Sequence, residues 1–339
     1  MTRNDTGLAI EATGLVKRFG DTTALDGIDL SVAYGAVLGL LGPNGAGKTT
    51  AVRILATLLH QDAGTARICG YDVSRETHQV RQLIGVIGQY ASVDQDLTGL
   101  QNLTMIGRLL GLSRGQAKAR AAELIEEAGL HDAAARPAKT YSGGMRRRLD
   151  LAASMVHRPP VVFLDEPTTG LDPARRAETW AMIRNLTALG STVLLTTQYL
   201  EEADQLADEI VVIDAGAVVA SGSPDQLKRR HGQQTLDVRV ADGSQLDEAA
   251  ARIAQLVQAA PIVDPETGYL GVAVTDGTVM PAVVRSLDDA GIEVGELALR
   301  LPSLDDVFLA VTGHRARMAD ADVDTVAGTT HSSNHREAS

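Results

Sequence analysis

Short aliphatic runs alternate with longer amphipathic stretches from residue 8 to about residue 225. The runs with the length of buried strands are 36–41, 84–87, 161–164, 193–197 and 210–213. Because these runs are apolar on both faces, they predict a largely parallel sheet that helices cover on both sides. The opening segment, 8–32, instead alternates with turn signals and predicts a small antiparallel layer.

No strand pattern is found between about residue 96 and residue 138. Apolar residues recur there at helical spacing in a segment rich in Ala, Leu, Glu, Lys and Arg. The segment therefore predicts a helical subdomain inserted into the α/β domain. Ser113 is a candidate N-cap for its second helix, and Gly129 is a candidate stop.

The polar segment 222–235 predicts a boundary after a first domain over residues 1–225. Beyond it, alternation at 236–240 and 270–274 and helical patterns predict a small α+β domain over 233–313. From residue 314 to residue 339 there are too few large apolar residues to offset the entropy of ordering, so we expect a disordered tail.

Composition narrows the possible partners and the compartment. The chain has 31 Lys and Arg against 43 Asp and Glu, a net charge of −12, which disfavours nucleic acid or anionic lipid as the main partner. A single cysteine, Cys69, excludes an internal disulfide and fits the reducing cytosol. The longest uncharged window, between Asp29 and Lys48, is interrupted by glycines and a proline, so we expect no membrane-spanning segment.

A phosphate loop follows the first strand of the predicted parallel sheet. The residues that match it are Gly42, Pro43, Asn44, Gly45, Ala46, Gly47, Lys48 and Thr49, with Thr50 next in the following helix. Glycines let backbone N–H groups close around phosphate oxygens at a helix N-terminus. Lys48 is expected to reach the β- and γ-phosphates, and the Thr49 hydroxyl to hold Mg²⁺.

Two adjacent carboxylates end the strand 161–164. Asp165 and Glu166 would lie at the carboxyl edge of the sheet, where parallel sheets place their sites. Asp165 is expected to contact Mg²⁺, and Glu166 to polarise the attacking water. The alternative is a solvated acidic turn, which the neighbouring phosphate loop makes less favourable.

A second anion site is predicted at Ser142, Gly143 and Gly144, which open a helix. The alternative is a plain Ser-Gly-Gly turn. The three arginines that follow, 146–148, would also suit nucleic acid, but the acidic chain and the adjacent anion-binding turn argue against that interpretation.

With these three motifs the chain resembles the ATP-binding subunits of ABC transporters. The resemblance implies a P-loop NTPase fold of the ABC ATPase type, with ATP and Mg²⁺ bound. It assigns catalysis to Lys48, Glu166 and Gln198, and Mg²⁺ contacts to Thr49, Gln89 and Asp165. It also implies that Phe19 stacks on adenine. The other residues expected to contact ATP are the loop from Gly42 to Thr50, Gln89, Ser142, Gly143, Gly144 and Asp172.

Two positions depart from the family pattern. Met145 stands where the family usually has Gln, and Gln198 stands where most members have a histidine. A glutamine can hydrogen-bond the γ-phosphate or water, but it cannot become charged or relay a proton. We therefore expect slow hydrolysis that relies on Glu166. Together with the segments 88–94 and 301–309, Gln198 makes the chain similar to actinobacterial daunorubicin-resistance ATP-binding proteins, from about residue 11 to residue 313.

The resemblance implies a motor subunit at the cytoplasmic face of the cell membrane. Two copies of the chain would sandwich ATP and drive a separate polytopic permease that exports a hydrophobic, anthracycline-like compound. The permease would largely bind that substrate, and no nucleic acid is expected. The alternatives are a soluble ABC-type ATPase acting on nucleic acid or ribosomes, against which the short insertion and single cassette argue, and a partner that binds ATP without turnover, which only Gln198 favours.

Overall fold

The computed structural model describes residues 7–88, 93–231, 234–265, 267–274 and 277–313. The predicted tail, 314–339, lies outside the described residues.

An antiparallel sheet opens the chain. Its strands are β1 (Leu8–Phe19), β2 (Thr22–Ala33), β4 (Ala63–Ile68) and β5 (Tyr71–Asp72), in the order β2-β1-β4-β5. Buried and exposed residues alternate along β2, as expected for a sheet that packs one face on a core. The predicted opening layer is therefore confirmed, and β4 and β5 extend it.

The central sheet has six strands in the order β10-β9-β3-β8-β7-β6, and only β10 is antiparallel to its neighbour. The strands are β3 (Val37–Leu41), β6 (Ile84–Ile87), β7 (Val161–Asp165), β8 (Thr192–Thr197), β9 (Glu209–Asp214) and β10 (Ala217–Gly222). All five predicted strands form. Every residue of β3, β7 and β8 is buried, as expected for the middle of a doubly covered sheet.

Helices pack against this sheet and carry the loops of the site. They are α1 (Lys48–Leu55), α2 (Thr77–Leu83), α5 (Gly143–Ser154), α6 (Pro173–Ala188) and α7 (Leu200–Leu206). Since β3, β8 and β7 are parallel neighbours, their carboxyl ends lie side by side at one edge. The segments that follow Leu41, Asp165 and Thr197 therefore meet there.

The inserted helical subdomain contains α3 (Gly99–Leu109) and α4 (Arg114–Glu127). Thr98 and Ser113 each form a capping box, which fixes where these helices begin. Gly129 follows the end of α4 with a φ of 60°, which suits glycine at that place. The insertion and both predicted end signals of its second helix are present.

The C-terminal part has its own four-stranded antiparallel sheet, in the order β12-β13-β11-β14. Its apolar face forms a separate core with two helices, α9 and α10. The elements are α8 (Pro224–His231), β11 (Gln234–Val240), α9 (Leu246–Val257), β12 (Ile262–Asp264), β13 (Tyr269–Val274), α10 (Met280–Asp288), β14 (Val294–Arg300) and α11 (Leu304–Thr312).

Within the predicted boundary segment, residues Pro224–His231 form the helix α8. Leu227 is fully buried in the hydrophobic core that the central sheet shares with α5, α6 and α7, which we call the first core. Lys228 Nζ donates to both carboxylate oxygens of Asp204, at 2.6 and 2.8 Å. The helix also packs against α11 and β10, so tertiary contacts order this short polar segment. The division into 1–225 and 233–313 stays a prediction.

Within the described part of the chain, no helix is both long and apolar enough to cross a membrane.

Candidate nucleotide-binding site

The phosphate loop joins β3 to α1, and two of its glycines have no room for a side chain. Gly47 has a φ of 110°, and a Cβ there would lie 2.4 Å from the carbonyl oxygen of Ala24. At Gly42 a Cβ would lie 2.2 Å from the carbonyl oxygen of Ile213. The loop backbone therefore packs closely against the carbonyls of Ala24 and Ile213. Such close packing is expected for a glycine loop whose backbone N–H groups bind phosphate.

The Lys48 side chain is only 5% exposed and lies inside this loop. Its ammonium donates to the carbonyl oxygens of Gly42, at 2.7 Å, and Pro43, at 3.0 Å, and lies 3.9 Å from Glu166 Oε1. Burial lowers the pKa of Lys48, while the charges of Glu166 and Asp165 act in the opposite direction. A buried cation aimed into a glycine loop fits an anionic group such as a triphosphate.

Three oxygens meet beside the loop. Thr49 Oγ1 donates to Asp165 Oδ1 at 3.1 Å, and Thr196 Oγ1 donates to the same carboxylate oxygen at 2.6 Å. Asp165 and Thr196 are paired across β7 and β8, so the sheet register itself brings them together. A carboxylate next to a hydroxyl is a donor set that Mg²⁺ prefers, and these residues fit the ion.

Glu166 has a left-handed backbone conformation, with a φ of 51°. Its N–H donates to two acceptors on Thr196, the backbone oxygen at 3.1 Å and Oγ1 at 3.0 Å. Thr169 Oγ1 donates to Glu166 Oε2 at 3.2 Å. Such a conformation costs a non-glycine residue about 1–3 kcal/mol and persists only where the surroundings hold it, typically at functional sites.

Ser142 is the N-cap of α5, and its hydroxyl accepts from the N–H of Met145 at 3.3 Å. A Cβ at Gly143 would point into open space, while one at Gly144 would lie 3.1 Å from Arg175 Cδ. Asp172 caps α6, accepts from the N–H of Arg175 at 2.9 Å and pairs with its Nε at 3.2 Å. These residues make their hydrogen bonds within their own segments.

The structure thus joins some of the predicted site residues directly. At the ends of β3 and β7, Thr49 is hydrogen-bonded to Asp165, and the Lys48 ammonium forms an ion pair with Glu166 at 3.9 Å. Phe19 is half-exposed at the end of β1, with Lys17 Nζ 5.5 Å from its ring centroid. Gln89 lies outside the described residues.

Gln198 is partly buried and directly follows β8, and the residues after it are held by hydrogen bonds and ring contacts. The next residue, Tyr199, donates its N–H to Thr197 Oγ1 at 2.9 Å, and the Arg176 guanidinium lies 4.6 Å from its ring centroid. Farther along α7, Glu202 is fully buried and accepts from Trp180 Nε1 at 3.2 Å. Removal from water raises the pKa of Glu202, and hydrogen bonds and Arg176 oppose that shift.

Sequence reasoning missed Thr196. It lies at the end of a predicted strand, but only the pairing of β8 with β7 shows that its hydroxyl contacts both Asp165 and the Glu166 backbone. Within the described residues, no group of three or more His, Cys, Asp and Glu side chains could hold a metal ion on its own.

Known proteins are similar to this chain in sequence and in fold. Residues 25–169 match the ABC transporter family, and residues 222–312 match the C-terminal domain of ATP-binding proteins like DrrA1-3. A solved structure of an ATP-binding subunit of an ABC transporter is 26% identical, with a TM-score of 0.60, covering 66% of this chain and 92% of its own. The chain therefore has the fold of an ABC-type ATPase, a class of domain that binds nucleotide.

Curated relatives define the family more closely. Daunorubicin resistance ATP-binding protein DrrA2 of Streptomyces coeruleorubidus is 52% identical over 93% of this chain and 98% of its own length. Doxorubicin resistance ATP-binding protein DrrA of Mycobacterium tuberculosis is 46% identical over 91% and 95%. Nod factor export ATP-binding protein I of Ralstonia nicotianae is 40% identical over 91% and 95%. The chain belongs to the drug-resistance ATP-binding proteins of the ABC transporter family.

Proposed function

We propose that this chain is the ATP-hydrolysing subunit of an exporter that moves a hydrophobic, anthracycline-like drug or antibiotic through a separate polytopic permease. The names of the relatives support the substrate class and the role in export. The observation that carries the chemistry is the hydrogen-bonded set of Thr49, Asp165 and Thr196 beside the buried ammonium of Lys48.

The binding roles follow from this geometry. The loop from Gly42 to Thr50 would bind the phosphates, and Lys48 would exchange its bonds to loop carbonyls for bonds to phosphate oxygens. Phe19, half-exposed at a strand end, would stack on adenine. Thr49, Asp165 and Gln89 would hold Mg²⁺. When bound, that ion neutralises charge that develops on the phosphates.

Glu166 would orient the attacking water and accept its proton. Its carboxylate lies 3.9 Å from Lys48, so it faces the place where the γ-phosphate would bind. Gln198 would donate an amide hydrogen bond to the γ-phosphate or to the water, without carrying a proton. With no titratable group at that position, proton transfer depends on Glu166, and we expect slow turnover.

Ser142, Gly143, Gly144 and Asp172 would act on ATP held by a second copy of the chain. Their hydrogen bonds lie within their own segments, and Gly143 leaves the N-terminus of α5 open. A dimer with two shared sites would sit on the permease at the cytoplasmic face of the cell membrane. The permease would supply most of the substrate contacts.

Steady-state and single-turnover ATP hydrolysis by the chain, copurified with its permease, would test this function. Glu166→Gln should lower kcat by about 10²–10⁴-fold, the range typical of losing a general base. Gln198→His should keep or raise kcat. Full activity in Glu166→Gln would contradict the proposal.

Transport itself needs a second assay. Doxorubicin accumulation in cells that express both proteins should fall with wild type and not with Glu166→Gln. Binding of this chain to nucleic acid that weakens steeply between about 50 and 200 mM salt would instead favour the alternative function.

A further inference from the structure

Arg147 extends from α5 to two loop backbones at the carboxyl edge of the central sheet. Its Nη1 donates to the carbonyl oxygen of Gly88 at 2.7 Å, and its Nε donates to that of Pro167 at 3.0 Å. Gly88 directly follows β6, and Pro167 directly follows Glu166. Because β6 and β7 are parallel neighbours, one guanidinium bridges the ends of two adjacent strands.

This arginine is held in an environment that is costly for a cation. Its Nη2 is buried and makes no hydrogen bond to any described residue, and burial lowers the pKa of the guanidinium. A planar fork can serve two separate acceptors at once, whereas a lysine is a single point charge. The requirement at this position is therefore for a fixed two-point contact and not for charge alone.

The contact at Pro167 acts next to the strained residue of the site. Glu166 keeps its left-handed φ of 51° only while its neighbours hold it. Thr196 holds the N–H side of Glu166, and Arg147 holds the carbonyl of the residue that follows. Between them they fix both ends of the peptide segment that carries the Glu166 carboxylate.

We infer that Arg147 is a positioning residue that couples the orientation of Glu166 to the position of α5. The inference rests on the proposed role of Glu166. Since α5 begins just after Ser142, any movement of that helix is transmitted through the guanidinium to the carbonyl beside Glu166. Hydrolysis then depends on where the N-terminus of α5 is held.

The matched control is Arg120, on α4. Its Nη2 donates to the carbonyl oxygen of Met155 at 3.0 Å, and its Nε is buried without a hydrogen-bond partner among the described residues, so part of its guanidinium is buried as in Arg147. Its Nη1 also pairs with Glu123 Oε2 at 2.9 Å and lies 3.6 Å from Glu127 Oε1. Among the described residues, its hydrogen bonds and ion pairs go to Met155, Glu123 and Glu127, and none reaches Glu166, Pro167 or Gly88. Arg120→Met therefore reports the loss of a buried arginine contact and of a partly exposed ion pair, both away from Glu166, and Arg120→Lys keeps a positive charge for that pair.

Four single variants, Arg147→Met, Arg147→Lys and the two Arg120 controls, are compared in the full chain with its membrane partner. For Arg147→Met we expect kcat to fall by about 10²-fold, the loss typical of a misplaced catalytic group, with the Kd for ATP little changed. Arg147→Lys should lie between Arg147→Met and wild type. Both Arg120 variants should keep the wild-type kcat, with thermal shifts comparable to those of the Arg147 variants. An Arg147→Met enzyme with wild-type kcat, or one whose loss Arg120→Met reproduces, would overturn the inference.

A double variant separates this inference from the function on which it rests. If Arg147 acts through Glu166, Glu166→Gln with Arg147→Met should be no slower than Glu166→Gln alone. Multiplying losses would show that Arg147 acts elsewhere and would refute the inference while leaving the role of Glu166 intact. Wild-type turnover in Glu166→Gln would instead refute the proposed function.

Discussion

Thr196→Val removes one hydroxyl from the centre of the site and keeps the shape of the side chain. That hydroxyl donates to Asp165 Oδ1 at 2.6 Å and accepts the N–H of Glu166. The same N–H also donates to the backbone oxygen of Thr196. A buried hydrogen bond to a carboxylate contributes about 1.5–3 kcal/mol, and the shared N–H loses less because its second acceptor remains. We expect the free energy of unfolding to fall by about 2–3 kcal/mol.

Urea unfolding followed by the fluorescence of Trp180, the only tryptophan of the chain, measures this change. The matched control is Thr192→Val, at the other end of β8, where a fully buried hydroxyl accepts the neutral N–H of Gly35 at 2.9 Å and has no charged partner among the described residues. It should cost about 0.5–1.5 kcal/mol and leave kcat unchanged. Thr196→Val should also lower kcat, since Glu166 loses a contact. Equal losses of stability in the two variants would refute the reasoning that the bond to Asp165 is charge-assisted.

Three further predictions concern other parts of the chain. Gly47→Ala places a Cβ against the carbonyl of Ala24 and should abolish ATP binding, measured by fluorescent-nucleotide titration, whereas Gly45→Ala, strained but facing open space, should keep measurable binding. Burial raises the pKa of Glu202 above its ordinary value of 4.5, because the folded protein favours the protonated carboxyl. The protein therefore loses stability as the pH rises from 4.5 through the pKa of Glu202 in the folded state. Glu202→Gln should remove that pH dependence, equal wild type in stability below pH 4.5 and exceed it at neutral pH in urea titrations. Phe308→Ala should destabilise the first core by about 3–5 kcal/mol in the same assay, and a loss below 1 kcal/mol would contradict the packing described.

The parts of the fold that follow from local pattern could be predicted from the sequence. The strands that are apolar on both faces, the capped helix starts at Ser113 and Ser303 and the glycine loop each carry a short-range physical signal. Contacts set by strand order carry no such signal. Thr196 reaches Asp165 because β8 lies beside β7, and Arg147 reaches Gly88 because β6 lies on the other side of β7.

Arg147 illustrates the limit well. In the sequence it is the middle member of a basic triplet that would suit nucleic acid, an interpretation that the acidic chain argues against. In the structure both of its hydrogen bonds go to neutral carbonyls, and part of its guanidinium is buried. Burial and partner identity, which composition does not encode, decide its role.

The position of the last helix, α11, decides which variants can test whether the C-terminal part supports the proposed dimer. The pattern of α11 is amphipathic, but only the structure shows that its apolar face, including Phe308, packs into the core of the ATPase beside α8 and not into the C-terminal core. A truncation after residue 230 would remove α11 and expose Leu227, which that core now buries. We expect the C-terminal part to support the proposed dimer, but loss of dimerisation in such a truncation would not show that the C-terminal sheet is the dimer contact. Substitutions on the exposed face of that sheet, such as Arg239→Ala, leave α11 in place and test the sheet alone.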